Sequence, residues 1–291
     1  MYRSVFRDQL FDNQTIVVTG GGSGIGRCVA HELAALGATV LITGRSTDKL
    51  ERTASEIEQA GGRAAHYAFD IRDEDGVRTA VETMLADNGP IHGLVNNAGG
   101  QYPMPLAKIG KKGWDAVVGN NLTGGFLVAR ELYTQHMAKN GGAIVNMLAD
   151  MWNGMPGMGH SGAARAGMLN FTESAAVEWA VSGVRVNAVA PGYILSSGMD
   201  SYDPAFARDI IPRCKAATPL KRMGEEAEVS SAIVFLLSEG AAFITGSCIK
   251  TDGGSSLATG LMGLPDHDRS KPYDGFHLAA APKASLPDEN G

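Results

Sequence analysis

Residues 15–26 read Thr15-Ile16-Val17-Val18-Thr19-Gly20-Gly21-Gly22-Ser23-Gly24-Ile25-Gly26. A short run rich in β-branched residues passes directly into a glycine-rich turn, and the helical stretch 27–36 follows it. This order of strand, glycine turn and helix is typical of dinucleotide binding, because bare glycines let the backbone approach a pyrophosphate and a helix N-terminus offers unpaired N–H groups. The stretch therefore predicts a nucleotide-binding unit.

The alternation of strands and helices continues as far as residue 254. Short β-branched apolar runs alternate with amphipathic stretches, and this pattern predicts a parallel sheet that is covered by helices on both faces. The predicted strands are 15–19, 39–43, 64–69, 93–96, 143–148, 185–190 and 248–251. The predicted fold class is therefore α/β, a doubly wound parallel sheet in a single domain over residues 1–254.

Two segments depart from this alternation. Residues 192–224 form a long connection at the carboxyl end of a strand and contain Pro204, Pro212 and Pro219, so we expect a mobile substrate lid. Residues 255–291 are polar and contain prolines. We expect them to form a partly irregular C-terminal extension that lies on the domain or on a neighbouring molecule.

The composition argues against several classes of function. The 291 residues carry a formal net charge of −6 without a run of like charges, so there is no basic face for nucleic acid. No apolar stretch is long enough to span a membrane, and we expect a cytoplasmic protein. Cys28, Cys214 and Cys248 lie far apart without metal-ligand spacing, so we expect reduced, packed thiols and no metal site.

Further motifs follow the glycine turn in a fixed order. Asp70 ends the third predicted strand, Asn96-Asn97-Ala98-Gly99 ends the fourth, Asn121 begins the string Asn121-Leu122-Thr123-Gly124, and Pro191-Gly192 follows the sixth strand. In this order and spacing, residues 14–254 resemble the short-chain dehydrogenases. The resemblance implies a Rossmann-type domain that binds a nicotinamide dinucleotide.

The resemblance also implies a role for each matching residue. Asp70 would bind the adenine amino group, and Asn97 would line the cofactor. Asn121 would be the family's active-site asparagine, or alternatively a helix amide bonded to the backbone, and the turn at Pro191 would meet the nicotinamide. The implied cofactor-binding residues are Gly20, Ser23, Gly24, Ile25, Gly26, Arg45, Asp70, Ile71, Asn97, Ala98, Gly99, Arg165, Pro191 and Gly192.

The end of the second strand, Ile42-Thr43-Gly44-Arg45-Ser46, indicates which nicotinamide cofactor is bound. A carboxylate at this point suits the ribose 2′-hydroxyl of NAD, whereas an arginine suits the 2′-phosphate of NADP. Gly44 occupies the usual carboxylate position and Arg45 follows it, so NADP(H) is predicted in preference to NAD(H). The alternatives are that Arg45 is solvated or that it stacks on the adenine of either cofactor.

The proton-transfer residues of the family are replaced in this chain. Short-chain dehydrogenases carry Tyr-x-x-x-Lys at the start of the helix after the fifth strand, where Ser161 and Arg165 stand here. The family's active-site serine corresponds to Ala149 or Asp150. Ser161 is a poor proton donor at neutral pH, and Arg165 stays charged, so it can hold ribose hydroxyls but cannot readily relay protons. The usual interconversion of alcohol and ketone is therefore not expected.

Hydride addition to an α,β-unsaturated thioester needs a different kind of assistance. Charge develops on the carbonyl oxygen as an enolate, which fixed donors such as Ser161 or backbone N–H groups can stabilise, and the α-carbon proton can come from water or from His160. Alternatively, Ser161 is only a helix N-cap and His160 only a satisfied loop histidine. The candidate catalytic residues are Asn121, Ser161, Arg165, Asp150 and His160, with Tyr102 and Tyr193 as further candidates.

Four strings narrow the resemblance to one branch of the superfamily. Residues 96–101, 112–117, 160–167 and 265–268 look like the peroxisomal trans-2-enoyl-CoA reductase branch, which also departs from Tyr-x-x-x-Lys. The peroxisomal Ser-Lys-Leu address is missing, so the chain looks like a bacterial relative. Such relatives include proteins associated with the oxidation of citronellol-type alcohols.

This branch implies an NADP(H)-dependent reductase of trans-2-enoyl-CoA thioesters. The alternative is a dehydrogenase of a terpenoid or other long-chain alcohol. A hypothesis of another class is a catalytically weak NADP(H)-binding sensor or assembly protein.

Other side chains bear on the substrate and on assembly, and each has an alternative structural role. An apolar loop would suit an acyl or isoprenoid chain, or would pack in the core: Met147, Met151, Trp152, Met155 and Met158. Basic residues in or beside the lid would meet the phosphates of CoA, or form a solvated face: Arg213, Lys215, Lys221 and Arg222. The family usually forms homotetramers, and the apolar faces would be supplied by residues that equally suit the core: Phe126, Leu127, Leu132, Phe171 and Trp179.

Overall fold

In a computed structural model that describes residues 1–201, 203–258, 260–261, 263–280, 282 and 285, a parallel sheet of seven strands forms the centre of the domain. The strand order is β3-β2-β1-β4-β5-β6-β9. These strands are β1 (Thr15–Thr19), β2 (Thr39–Gly44), β3 (Arg63–Ala68), β4 (Gly93–Asn96), β5 (Gly142–Met147), β6 (Val184–Pro191) and β9 (Cys248–Thr251). All seven predicted strands are present, each within one residue of its predicted bounds, and the predicted fold class is confirmed.

Helices cover both faces of the sheet. They are α1 (Gly24–Ala35), α2 (Thr47–Gln59), α3 (Glu74–Asn88), α4 (Lys111–Val118), α5 (Gly124–Leu132), α6 (Ala138–Asn140), α7 (Gly159–Glu178), α8 (Pro204–Ala217) and α9 (Glu226–Leu237). One apolar core joins α1, α2 and α9 to the sheet, and a second core joins α3, α5 and α7 to the opposite face. Within the part of the chain that the structure describes, none of the helices has both the length and the apolarity of a membrane span.

Strand β1 shows why this sequence forms a doubly covered sheet. Ile16 and Val18 enter the core beneath α1, whereas Val17 enters the opposite core, as the alternation of side chains along a strand requires. β1 pairs in parallel with β2 on one side and with β4 on the other. Because the chain order reverses at this point, a crevice forms at the carboxyl ends of β1 and β4, where ligands bind in open α/β sheets.

The glycine turn after β1 depends on two glycines. Gly20 has a φ of +68°, in the left-handed region that glycine adopts without strain. A β-carbon at Gly26 would lie 2.3 Å from the carbonyl oxygen of Gly20, so a side chain there would collide with the turn. The backbone therefore stays bare where α1 begins, and α1 starts at Gly24, three residues before the predicted helical stretch.

The segment predicted as a lid contains regular structure. Two short strands, β7 (Ile194–Leu195) and β8 (Gly224–Glu225), pair at its base. Between them, α8 starts with Asp203 as its N-cap, whose carboxylate accepts the N–H groups of Ala205 and Phe206 at 3.0 Å, and with Pro204 at the first helical position. The predicted mobility of this segment stays a prediction.

The described part of the C-terminal extension lies on α1 and α9. Phe276 is 2% exposed and packs with Tyr2, Cys28 and Ala227. The backbone N–H of Arg3 donates to the carbonyl of Gly275 at 2.9 Å. Both terminal segments thus cover the helix that follows the glycine turn.

Candidate active site

A cavity opens at the carboxyl ends of β1, β2 and β4. Its lining combines the glycine turn, the start of α2 and the ends of the strands: Gly20, Gly22, Ser23, Gly44, Arg45, Ser46, Lys49, Leu50, Phe69, Asp70, Ile71, Ala98, Gly99 and Asn120. Seven of the residues predicted to bind the cofactor line this cavity: Gly20, Ser23, Arg45, Asp70, Ile71, Ala98 and Gly99. The other seven do not line it: Gly24, Ile25, Gly26, Asn97, Arg165, Pro191 and Gly192.

Two cations stand at one end of the cavity. Arg45 follows β2, and Lys49 lies one helical turn further on in α2, where both side chains are exposed. No carboxylate lies among the lining residues 44–50. Sequence reasoning missed Lys49, although its spacing of four residues from Arg45 places two cations close together at the start of a helix.

Asp70 lines the same cavity. Its carboxylate accepts three hydrogen bonds from the guanidinium of Arg72, the two shortest at 2.5 Å from Nη2 and 2.9 Å from Nε. These bonds and the positive charge of Arg72 lower the pKa of Asp70 to about 2. The carboxylate is therefore ionised throughout the neutral range.

Asn97 holds the strand ends together and does not line the cavity. Its side chain donates to the carbonyl of Thr19 at 2.9 Å, and its backbone N–H donates to the hydroxyl of Thr19 at 3.0 Å. The same hydroxyl accepts the N–H of Ala98 at 2.9 Å. Thr19, another residue missed from the sequence, thus fixes the end of β1 against the end of β4.

Arg165 is a buried cation on α7. The residue is 8% exposed, and its Nη1 donates to the carbonyl oxygen of Met147 at 2.5 Å. Its Nε atom has no hydrogen-bond partner, and no carboxylate among the described residues forms an ion pair with it. Burial lowers the pKa of Arg165 to about 10, so the guanidinium remains charged at neutral pH.

Gly99 allows this cation to approach the strand ends. A β-carbon at Gly99 would lie 2.8 Å from Nη2 of Arg165 and 2.5 Å from Oδ1 of Asn121. Only glycine fits between the two side chains. Arg165 and Asn121 therefore meet at Gly99, on the wall of the cavity.

Asn121 lies in a π-helical turn, Gly119–Thr123, that joins α4 to α5. Such turns occur often at functional sites. The side chain is 2% exposed; it donates to the carbonyl of Gly100 at 2.7 Å and accepts the N–H of Gly100 at 3.1 Å. It also donates to the carbonyl of Val117 at 2.9 Å. Asn121 thus fixes the backbone of the loop after β4, as the backbone-bonding alternative proposed.

Ser161 lies within the first turn of α7. Met158 is the N-cap of that helix, so the interpretation of Ser161 as the N-cap is wrong. The Ser161 hydroxyl is buried and donates to Oε1 of Gln101 at 2.5 Å. Gln101 is the last residue of the string 96–101, but it was not identified from the sequence as a site residue.

His160 is fully buried beside Ser161. Its Nδ1 accepts the backbone N–H of Ser161 at 2.9 Å, so a neutral ring carries its proton on Nε2. Nε2 has no partner among the described residues. The ring packs edge-on against Tyr102, with 4.8 Å between the ring centroids. One nitrogen is therefore satisfied, and the other is a buried donor without an acceptor.

Asp150 and Tyr193 lie on the side of the site towards β6. The backbone N–H of Asp150 donates to the carbonyl of Pro191 at 2.9 Å, and its carboxylate accepts the hydroxyl of Ser255 at 2.7 Å. Tyr193 is 44% exposed, and burial together with the charges of Cys214 and Asp150 raises its pKa. Neither residue forms a hydrogen bond with Ser161 or Arg165 among the described contacts.

The structure separates the remaining candidates into core and surface. Met147, Leu127 and Leu132 are buried in the two main cores, so packing accounts for them, whereas Phe126 is 36% exposed and Trp152 38% exposed.

Three of the four basic residues of the lid have partners within the chain. Arg213 pairs with Asp209, Arg222 pairs with Glu228, and Lys221 donates to the carbonyl of Ala216.

Comparison with known proteins places this geometry in a family. Residues 20–256 match the family model described as "Enoyl-(Acyl carrier protein) reductase". The chain belongs to the short-chain dehydrogenase/reductase family. It is therefore an oxidoreductase of the kind that binds a nicotinamide cofactor.

Individual members of the family show how far the similarity extends. The chain is 35% identical over 250 residues to the probable 2,4-dienoyl-CoA reductase of Bacillus subtilis, covering 84% of this chain and 98% of that protein. It is 32% identical to the peroxisomal 2,4-dienoyl-CoA reductase of Danio rerio, covering 89% and 86%. The solved structure of a citronellol catabolism dehydrogenase from Pseudomonas aeruginosa PAO1 is 60% identical, with a TM-score of 0.79 and coverage of 88% and 100%.

Proposed function

We propose that the protein is an NADPH-dependent reductase of the 2,3 double bond of trans-2-enoyl-CoA thioesters. The observation that carries this proposal is a buried Arg165 that has no counter-ion among the described residues, four residues after a Ser161 whose hydroxyl bonds to a glutamine. A buried, unpaired cation stabilises negative charge that develops nearby far more than it would in water. The enolate of a thioester is such a charge.

The residues of the cavity fit a nicotinamide dinucleotide. The backbone is bare at Gly20 and Gly26, where a pyrophosphate approaches the N-terminus of α1. Arg45 and Lys49 would hold the 2′-phosphate of NADPH, and Arg165 would donate its unpartnered Nε or Nη2 to the nicotinamide ribose. When bound, the cofactor supplies the hydride.

The same residues suit alkene reduction better than alcohol oxidation. An alcohol must lose its proton to a base as the hydride leaves, and the structure places no tyrosine or carboxylate in hydrogen-bond contact with Ser161 or Arg165 among the described residues. An enolate requires only donors and positive charge at its oxygen. The α-carbon proton would come from water, because Nδ1 of His160 accepts the N–H of Ser161 and its neutral ring would have to become an imidazolate to release the Nε2 proton.

The second candidate function is the oxidation of a terpenoid or other long-chain alcohol. It is supported by the 60% identity to the citronellol catabolism dehydrogenase. In that case Asp150, whose carboxylate accepts the hydroxyl of Ser255, or Tyr193 would have to act as the base. If the chain is instead a catalytically weak NADP(H)-binding protein, neither Asp150 nor Tyr193 has to act as a base.

One assay separates these possibilities. NADPH oxidation is followed with crotonyl-, hexenoyl- and decenoyl-CoA, and NADP reduction is followed with citronellol and geraniol. Turnover of the thioesters is expected. Turnover of the alcohols alone would establish the second candidate, and cofactor binding without any turnover would favour the non-catalytic role.

The assembly and location of the protein are part of the same proposal. The family resemblance implies a cytoplasmic homotetramer. The partly exposed ring of Phe126 would contribute to a contact between subunits. Light scattering measures the mass directly, and a monomer would contradict this proposal.

A further inference from the structure

We infer that the side-chain N–H of Gln101 is the donor that binds the carbonyl oxygen of the substrate, and that Ser161 positions this donor. The inference rests on the proposed function and names the hydrogen bond through which the enolate would be held. Its first support is the placement of the glutamine. Asn121 binds both the N–H and the carbonyl of Gly100, so the residue that follows Gly100 leaves a fixed backbone.

The second support is the orientation of the carboxamide. The Ser161 hydroxyl donates to Oε1 of Gln101 at 2.5 Å, so Oε1 is occupied and Nε2 is turned away from the serine. The serine itself is fully buried, and its backbone N–H is bound to His160. The hydroxyl proton is therefore directed at Gln101, and Ser161 has no second proton for a substrate.

The third support is that the carboxamide nitrogen of Gln101 has no partner in the part of the chain that the structure describes. None of the described residues accepts a hydrogen bond from Nε2, although the residue is only partly exposed. A carboxamide nitrogen carries two protons and cannot accept, so both are available as donors. A fixed neutral donor of this kind is what a developing oxyanion requires.

The charge around the loop has the right sign for an anion. Gly99 contacts the buried guanidinium of Arg165, and Gly99, Gly100 and Gln101 are consecutive. On α7, Arg165 lies one helical turn beyond Ser161, on the same face. The carboxamide of Gln101 thus belongs to a loop that packs against a buried cation, which pairs with no carboxylate of the described residues. A carboxamide gives up no proton near neutrality, so it can stabilise an enolate but cannot protonate an alkoxide.

The test compares Gln101→Glu with wild type, with NADPH and trans-2-hexenoyl-CoA. Glutamate keeps the shape and the acceptor for Ser161 but replaces the donor by a negative charge. We expect kcat to fall about 100- to 1000-fold, the loss typical of one oxyanion donor, while NADPH affinity stays within about twofold. Gln59→Glu, at an exposed position on α2, is the matched control and should leave both quantities unchanged.

A spectroscopic readout separates donation from folding. The near-ultraviolet absorption of bound trans-cinnamoyl-CoA shifts to longer wavelength when its carbonyl is polarised. The shift should be present in wild type, absent in Gln101→Glu and smaller in Ser161→Ala, because the serine only orients the amide. A Gln101→Glu variant with wild-type kcat and an unchanged spectral shift would overturn the role of Gln101 and leave the proposed function intact. A wild type that neither binds nor reduces any enoyl-CoA would overturn both.

Discussion

Arg165 donates through Nη1 to the carbonyl oxygen of Met147 at 2.5 Å, at a position where the arginine is 8% exposed. Within the described residues, the guanidinium is therefore held by the end of β5 and not by an acid. A carbonyl dipole leaves most of the positive charge uncompensated. Burial of that charge lowers the stability of the folded protein. The electric field of the charge acts on any ligand in the site.

Replacing Arg165 by methionine should separate stability from function. The pKa of Arg165 is lowered to about 10, which means that burial disfavours the charged form by about 3 kcal/mol at neutral pH. A methionine avoids that cost but also loses the hydrogen bond to Met147, and the loss destabilises the fold by about 1–3 kcal/mol. We expect urea denaturation to give a stability no more than about 1 kcal/mol below wild type, with at least tenfold losses in NADPH affinity and in turnover.

Arg165→Lys provides the companion measurement. A lysine keeps a charge over the ribose and should recover part of the NADPH affinity that Arg165→Ala loses. An Arg165→Met protein that binds NADPH normally but unfolds much more easily would show that the arginine serves only the fold.

Arg45→Ala should weaken NADPH binding by roughly ten- to a hundredfold and leave NADH binding nearly unchanged. A charged hydrogen bond to a phosphate is worth about 1.5–3 kcal/mol, and Arg45 lines the cavity where the 2′-phosphate would lie. The affinities for NADPH and NADH are measured by titration, with the fluorescence of each cofactor as the signal. Arg52→Ala removes an arginine of the adjacent helix α2, outside the cavity lining, and serves as the control. Equal affinities of wild type for NADPH and NADH would contradict the cofactor preference.

Glu226→Gln should stabilise the protein at pH 8 but not at pH 5. Burial raises the pKa of Glu226 to about 7; the charge of Glu225 raises it further, while Arg27 and the N–H of Ser197 oppose the shift. The folded state thus binds a proton that the unfolded state releases above pH 4.5, so stability falls between about pH 4.5 and pH 7 and stays lower above it. The loss amounts to about 3 kcal/mol.

Glutamine cannot ionise and should escape that loss, which thermal denaturation at the two pH values measures. Glu82→Gln, on the exposed side of α3, should show no such difference. Identical pH profiles for Glu226→Gln and wild type would mean that Glu226 ionises normally in the fold.

Phe276→Ala should destabilise the protein by about 3–5 kcal/mol, the range for removing a buried aromatic ring. The ring is 2% exposed and lies 5.8 Å from the ring of Tyr2 and 5.2 Å from that of His31. Phe243→Ala removes the same side chain from a fully exposed position and should change stability little. If the two variants unfold at the same urea concentration, the extension does not contribute to the folded domain.

The strands were predictable because burial on both faces leaves an unbroken apolar run in the sequence. β1 and β4 were placed without error for this reason, and glycines or asparagines marked their ends. β7 and β8 have two residues each, too few for any periodicity to appear, so the small sheet at the base of the lid was missed. Helix α1 began earlier than predicted because its first turn consists of glycines that a propensity argument excludes.

The candidate site was predictable only where its chemistry is local in sequence. The glycine turn and Arg45 were predictable because each directly follows a recognisable strand and precedes a helix in the sequence. The bond between Gln101 and Ser161 joins residues 60 positions apart, and no pattern in either segment indicates the other. The same holds for Thr19, which bonds to residues 78 and 79 positions away. Such pairs follow from the register of β4 beside β1 and from the path of the loop after β4, which only the folded chain defines.

The burial of Glu32 constrains the order in which a ribosome-bound chain can mature. Its carboxylate accepts bonds from Tyr2, Ser4 and Ser230, and Ser230 emerges 198 residues after it. Until α9 has been synthesised, α1 can pack against β1, β2 and α2, but the side of α1 that α9 covers stays open and Glu32 lacks its bond to Ser230. The helix that follows the glycine turn is thus among the first to leave the ribosome and among the last to be fully covered. Translation leaves this side of α1 exposed for nearly the whole synthesis, a period in which a chaperone would shield the nascent chain from aggregation.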